Sequence, residues 1–466
     1  MRKLEIILSC VALCVVIYSL IKGRRKDNIK YLSLLLLIPV MVAHVIFEGI
    51  RWQMYGVYAY IIYLAFQFLF LRKKRLSIEE SGPKKWTVWL SAIILILSIS
   101  LSFLFRMNEM PKLTGDYEVG TVSLDLVDDL RSEIYGDKTG EPRKIRIQFW
   151  YPIDDHANKK IVPWMADGIL VARGVTKVAY LPGFLMESAA QISSNSYGNA
   201  NLSNSEKTYP VVIISHGWTG FRNLHTDVGE MLASHGYIAI SIDHTYGSIA
   251  TVFDNGEIAT LDRSALPSRE ETLDFLTYAD KLVTTYAYDT RLVLDYLENL
   301  TSDSLFYQRI DLDKMGVLGH STGGGGVVKL SLEDTRIKAV FGLDAWVEPI
   351  GYDTLSKGLS IPSLFIRSES WEEGQNNAYL KTLVNNSEIE PITLQINGSN
   401  HLDFTMLYMY QPLYRYIGYS GELDAYLNAK IQRELILNFF DITLKDSTDL
   451  IQSIEEKYEP VIKIKF

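Results

Sequence analysis

The first hundred residues of this chain and the remainder follow two different hydropathic patterns. Four stretches, residues 6–21, 31–47, 52–71 and 86–105, contain no Lys, Arg, Asp or Glu. Each approaches the roughly 20 apolar residues that span a bilayer as a helix. They predict four transmembrane helices in a membrane region ending near residue 106. After a linker at 107–116 the apolar runs shorten to strand length, at 145–150, 211–215, 238–242, 315–318, 339–343, 363–366 and 392–396. Segments of helical periodicity lie between and after them, at 226–234, 282–300, directly after residue 321, and at 423–440. Strands alternating with helices predict an α/β fold with a mainly parallel sheet over residues 117–466. One insert, 156–207, carries Ile169, Val171, Val175 and Val178 at helical spacing, then an apolar run at 181–186. It reads as a lid or acyl-chain wall covering a site on the sheet edge.

Charge divides at the same boundary. Residues 1–106 hold 15 Lys and Arg against 5 Asp and Glu, which leaves 31 against 50 in the remainder. An outer domain this acidic excludes nucleic acid as a partner and argues against docking on anionic head groups. Basic residues gather at 22–30 and 72–85, whereas the loop at 48–51 is nearly neutral. The positive-inside rule therefore puts the two basic loops in the cytoplasm, and both termini and the α/β domain outside. The basic cluster 23–26 follows the first apolar stretch without a small-residue cleavage site, so that stretch is expected to stay as an anchor. Both cysteines, Cys10 and Cys14, fall inside it. The outer domain then has no disulfide and must be held by its core, a pattern that suits a bacterial cell membrane.

The candidate chemistry begins at Gly319-His320-Ser321-Thr322-Gly323, which follows the apolar run 315–318 and opens into glycines up to Gly326. G-x-S-x-G between a strand and a helix is a nucleophile elbow, with Ser321 lifted on a tight turn and the Thr322 backbone N–H at the helix N-terminus. Elbow hydrolases place the acid and then the histidine after the serine in chain order. Seven of the eight histidines precede Ser321, so His401 is the general base. Asp344, at the end of the strand 339–343, is the first choice of acid, and Glu369, one strand further on, is the alternative. The loop after 211–215, His216-Gly217-Trp218, supplies the Trp218 N–H as second oxyanion donor beside Thr322. Asp243, His244 and Tyr246 end another strand on the same edge and, with His216, are candidates for the substrate pocket. No metal-ligand cluster, P-loop or dinucleotide fingerprint is present, so neither metal nor cofactor is expected.

The segments Ser215-His216-Gly217, Gly319 to Gly324, Gly342-Leu343-Asp344-Ala345-Trp346 and Gly398-Ser399-Asn400-His401 together resemble the platelet-activating-factor acetylhydrolase family of the plasma and intracellular type II kind. The likeness includes Tyr117 to Gly120, Phe149-Trp150-Tyr151-Pro152 and Leu181-Pro182-Gly183-Phe184. It implies an α/β-hydrolase fold, favours Asp344 over Glu369, and implies calcium-independent hydrolysis of the sn-2 ester of phospholipids with short or oxidised acyl chains. A carboxylesterase acting on another envelope ester, thioester or polyester would use the same residues. A non-enzymatic membrane sensor would not need them intact.

Overall fold

The computed structural model describes residues 1–22, 32–74, 85–410, 412–448 and 456–466. The chain divides into two compact units, Met1–Asn108 with Tyr410–Leu413, and Glu109–Met409 with Tyr414–Phe466.

The first unit contains helices α1 (Lys3–Lys22), α2 (Leu34–Ala43), α3 (Tyr55–Lys74) and α4 (Lys85–Leu104). Among the described residues, two helical segments, Lys3–Ile21 and Lys85–Leu104, are long and apolar enough to cross a membrane. The expectation of four such helices is thus met by two. The stretch 31–47 forms a ten-residue helix with Pro39 inside it, followed by a π-helical turn at His44–Glu48 that Gly49 ends at φ 76°. The stretch 52–71 begins as a 3-10 turn and becomes a full-length helix, but this helix carries Gln67 and runs on into Arg72-Lys73-Lys74. The basic loops that set the expected orientation lie mostly outside the described residues. Buried charge also enters this unit. Arg51 donates to Glu5 at 3.0 Å, and Arg2 binds the same carboxylate. Glu5, His44 and Glu48 bring ligand atoms within 4.8 Å of one another, but guanidinium groups already neutralise Glu5.

In the second unit, thirteen strands are described: β1 (Glu118–Ser132), β2 (Pro142–Ile153), β3 (Ile161–Pro163), β4 (Ser193–Gly198), β5 (Tyr209–Ser215), β6 (Ile238–Asp243), β7 (Ala250–Val252), β8 (Ile258–Thr260), β9 (Ile310–His320), β10 (Ile337–Leu343), β11 (Ser363–Ser368), β12 (Ile392–Ile396) and β13 (Val461–Lys463). Eleven form one sheet in the order β13-β12-β11-β10-β9-β5-β6-β2-β1-β4-β3. From β12 to β6 every neighbour is parallel. These strands read as mainly apolar runs because both faces are covered. One face packs on α7 (Phe275–Glu298) and α8 (Thr322–Ser331), with Val283, Ala287, Val327 and Val328 in the core. The other packs on α6 (Thr226–Ser234) and α9 (Ala425–Leu444), through Val228, Leu232, Ile431, Leu435 and Phe440.

The insert 156–207 combines sheet strands with short helices. It adds β3 and β4 to the sheet edge beyond β1, and carries α5 (Ile169–Val178) and a 3-10 helix at Gly183–Gln191. Val171 is buried, whereas Ile169, Tyr180 and Phe184 are exposed.

Candidate active site

Ser321 stands between β9 and α8 at φ +52°, a left-handed conformation that a β-carbon disfavours. The turn is tight because glycine lets backbone meet backbone. A β-carbon on Gly323 would lie 2.3 Å from the Ser215 carbonyl oxygen. One on Gly217 would lie 2.9 Å from Ser321 Cβ, so the β5 loop rests directly against the elbow. Trp218 follows Gly217 in this loop, and its side chain packs against the cluster of Tyr135, Tyr246 and Tyr286. Thr322 is the first residue of α8, where an N–H has no acceptor within the helix.

His401 opens a 3-10 turn after β12, capped by Asn400 and Asp403 in a reciprocal box. Its Nε2 lies 3.1 Å from Ser321 Oγ and its Nδ1 2.9 Å from Asp344 Oδ2. Asp344 follows β10 at φ +41° and is buried. Its Oδ1 accepts from the Ser368 N–H at 2.7 Å and its Oδ2 from the Ser368 hydroxyl at 2.5 Å. With these donors and the imidazole, the carboxylate is satisfied without water. Glu369 is exposed and turns the other way, accepting the Gly398 N–H at 2.5 Å. It braces the loop that carries His401 rather than meeting the imidazole.

The remaining pocket candidates lie inside the protein. Asp243 is buried against the Arg222 guanidinium, and burial pushes its carboxyl up to about 6. His216 is buried, bonding Ser248 Oγ through Nε2 at 2.8 Å, and burial pushes it well below the usual histidine range. His244 joins a second serine-histidine-aspartate series, with Ser215 Oγ at 2.8 Å and Asp289 Oδ2 at 3.0 Å. All three of its members have no exposed surface, so no substrate can reach them. Burial opposes ionisation of Asp289, but the Arg143 and Arg131 guanidiniums hold it well below the usual carboxylate range. Tyr246 is buried, and its hydroxyl donates to Asp137 at 2.6 Å. The pocket assignment of Asp243, His216 and His244 therefore gives way to a bracing role beneath the loops.

An open groove of about 440 Å³ runs alongside Trp346, Trp371, Ser370 and Gln375, with Arg269 and Glu348 at one side. The Trp346 N–H bonds the Ser321 carbonyl at 2.9 Å, and the Trp371 indole stacks on His401, so the groove adjoins the serine and the histidine. The sequence reading missed Ser368, Ser370 and Trp371. They lie in an ordinary strand-to-turn stretch, and only the return of the β12 loop brings His401 onto them.

The family profile described as platelet-activating factor acetylhydrolase, isoform II, matches residues 103–278 and 291–459. A platelet-activating factor acetylhydrolase of Bos taurus is 26% identical over 359 residues, covering 71% of this chain and 76% of that protein. Cutinase 1 of Thermobifida cellulosilytica is 26% identical over 219 residues, 46% of this chain and 70% of that one. Among solved structures, the ferulic acid esterase from Streptomyces cinnamoneus superposes with a TM-score of 0.63 at 22% identity, covering 77% of this chain and all of that one, which supports the esterase-like α/β fold. With the profile matching well over half its length, the chain belongs to the platelet-activating factor acetylhydrolase isoform II family and is a carboxylic ester hydrolase.

Proposed function

We propose that this protein is a membrane-anchored serine esterase that uses Ser321, His401 and Asp344 to hydrolyse lipid esters, with the sn-2 short or oxidised acyl ester of phospholipids as the preferred class. One observation carries the reading: a single imidazole lies within hydrogen-bonding distance of both a strained elbow serine, at 3.1 Å, and a buried carboxylate, at 2.9 Å. Asp344 accepts Nδ1–H and so leaves the Nε2 lone pair facing Ser321. Nε2 takes the hydroxyl proton as Oγ attacks the ester carbonyl, and returns it to the departing alcohol. The carbonyl oxygen gains charge and is held by the Trp218 and Thr322 N–H groups, aided by the α8 dipole. Water then attacks the acyl-serine with the same histidine as base. Every step uses side chains and backbone of this chain.

The groove beside His401 is open, which suits an ester presented at a lipid surface, and α1 and α4 supply the apolar length for an anchor. In this reading α2 and α3 complete a four-helix membrane region and the hydrolase domain lies outside the cell. The test uses the full chain in detergent, with Ser321→Ala as control. A fluorophosphonate should label the unmodified chain and not the variant, and a phospholipid with an sn-2 acetyl group should release acetate. Labelling without acetate release would leave the serine esterase and remove the phospholipid. A folded chain that takes no label would overturn the reading.

A further inference from the structure

The Trp371 indole lies face to face with the His401 imidazole, with ring centroids 4.4 Å apart and planes 6° from parallel. Trp371 closes the 3-10 turn Glu369–Trp371 at the end of β11, and this turn is fastened from both sides. Its carbonyl accepts from Asn377 Nδ2 at 2.8 Å. Ser370 Oγ accepts the His401 N–H at 3.1 Å, and Glu369 accepts the Gly398 N–H, so the turn and the histidine loop are bonded directly to each other. The imidazole also meets the His320 ring, with centroids 4.6 Å apart and planes tilted by 32°. His320 is buried and its Nε2 bonds the His401 carbonyl at 3.1 Å. Burial keeps it neutral, so it sets no positive charge against His401.

We propose that Trp371 is a positioning residue for the general base: it fixes the plane of the His401 ring along the line from Asp344 to Ser321 and stabilises the imidazolium that forms as the serine is deprotonated. The inference rests on the catalytic role proposed for His401. Two physical effects act together. Rotation of the imidazole out of line would have to displace a large ring held by its own backbone bonds. Positive charge appearing on the imidazole also meets the electron-rich face of an indole, the strongest side-chain partner for a cation. The restraint holds the imidazole in line beforehand and the attraction for the cation grows as the proton arrives; neither adds to ground-state binding of the ester, so they act on kcat.

The experiment uses the full chain in detergent micelles with 13Cε1-labelled histidine, the His401 resonance being assigned by its loss in His401→Gln. Stacked on an indole, the His401 ring proton sits in the shielding cone, so Trp371→Leu is expected to move that resonance downfield and leave the other seven in place. With p-nitrophenyl acetate, kcat should fall about 5- to 30-fold while KM stays within about twofold. Trp371→Phe, which keeps an aromatic face, should recover most of the loss. An unmoved His401 resonance would overturn the inference, as would a variant that raises KM alone, since that would make Trp371 a wall of the groove only. If the unmodified chain neither turns over ester nor takes a fluorophosphonate, the esterase reading fails, and the resonance still tells whether the indole holds the ring.

Discussion

Two carboxylates end neighbouring strands on the catalytic edge, and hydrogen bonding separates their roles. Asp344 is buried, accepts two bonds from Ser368 and faces His401 Nδ1, whereas Glu369 is exposed and spends one oxygen on the Gly398 N–H. Replacing Asp344 with Asn keeps its shape but offers an amide N–H to the imidazole, which selects the wrong tautomer. A loss of about 10⁴ in kcat is expected for esters of every chain length. Glu369→Gln retains an acceptor for Gly398 and should cost less than about tenfold. Parallel kinetics of the two variants on p-nitrophenyl acetate check this, and comparable losses would move the acid role away from Asp344. The buried Ser215-His244-Asp289 series warns against finding such sites by residue type alone, because it has the same three side chains and no access to solvent.

At the scale of elements, the strands that carry the site were legible and the devices that hold them were not. The runs 211–215, 238–242 and 392–396 coincide with β5, β6 and β12 to within two residues, and 226–234 is α6. Central parallel strands and their helices announce themselves because burial on both sides keeps most of their positions apolar. β1, β3, β4 and β13 lie toward or at the sheet edges; β1 alternates apolar with polar residues, β4 is mostly polar, and β3 and β13 are three residues long, so none presents a continuous apolar run of strand length. Side-chain partners separated by many residues left no trace at all. Arg143 bonds Asp289 at 2.6 Å across 146 residues, and both are buried. Asp289→Asn would take from the buried Arg143 one of its two carboxylate partners, leaving Glu133 alone to pair with it, and is expected to cost about 3–5 kcal/mol in denaturant unfolding. A loss under about 1 kcal/mol would show that the network is solvated.

Glu230 on α6 ties the insert to the core, accepting the Asn195 N–H at 2.7 Å, the Asn195 side-chain N–H at 2.8 Å and the Ser196 hydroxyl at 2.5 Å. Burial outweighs these bonds and pushes its carboxyl up to about 7 from 4.5. Between those values the folded chain keeps a proton that the unfolded chain has released. Stability from this group is therefore complete below about 4.5 and falls as pH rises through 7, by on the order of 3 kcal/mol. Urea melts across this window should show the decline, and Glu230→Gln should remove it. A variant whose melts keep the same slope would assign the pH dependence elsewhere.

The whole molecule joins a basic, apolar first quarter to an acidic domain, and the sign change fixes an expected orientation. Fifteen basic residues among the first 106, concentrated in two loops, favour retention of those loops in the cytoplasm, and an even number of crossings then sets residues 109–466 outside. With only α1 and α4 crossing, both ends of the unit still share a side, so the prediction does not depend on whether α2 and α3 span. It can be tested with a chain in which Cys10 and Cys14 are Ser and Leu130, which is fully exposed on β1, is Cys. In intact cells a membrane-impermeant maleimide should label this single thiol as completely as it does after lysis. Labelling only after lysis would place the esterase in the cytoplasm, where an acidic domain beside an anionic inner leaflet would be repelled from the lipid it is proposed to hydrolyse. Orientation thus bears directly on substrate access, because an outer location would spare the acidic domain the repulsion of the anionic inner leaflet.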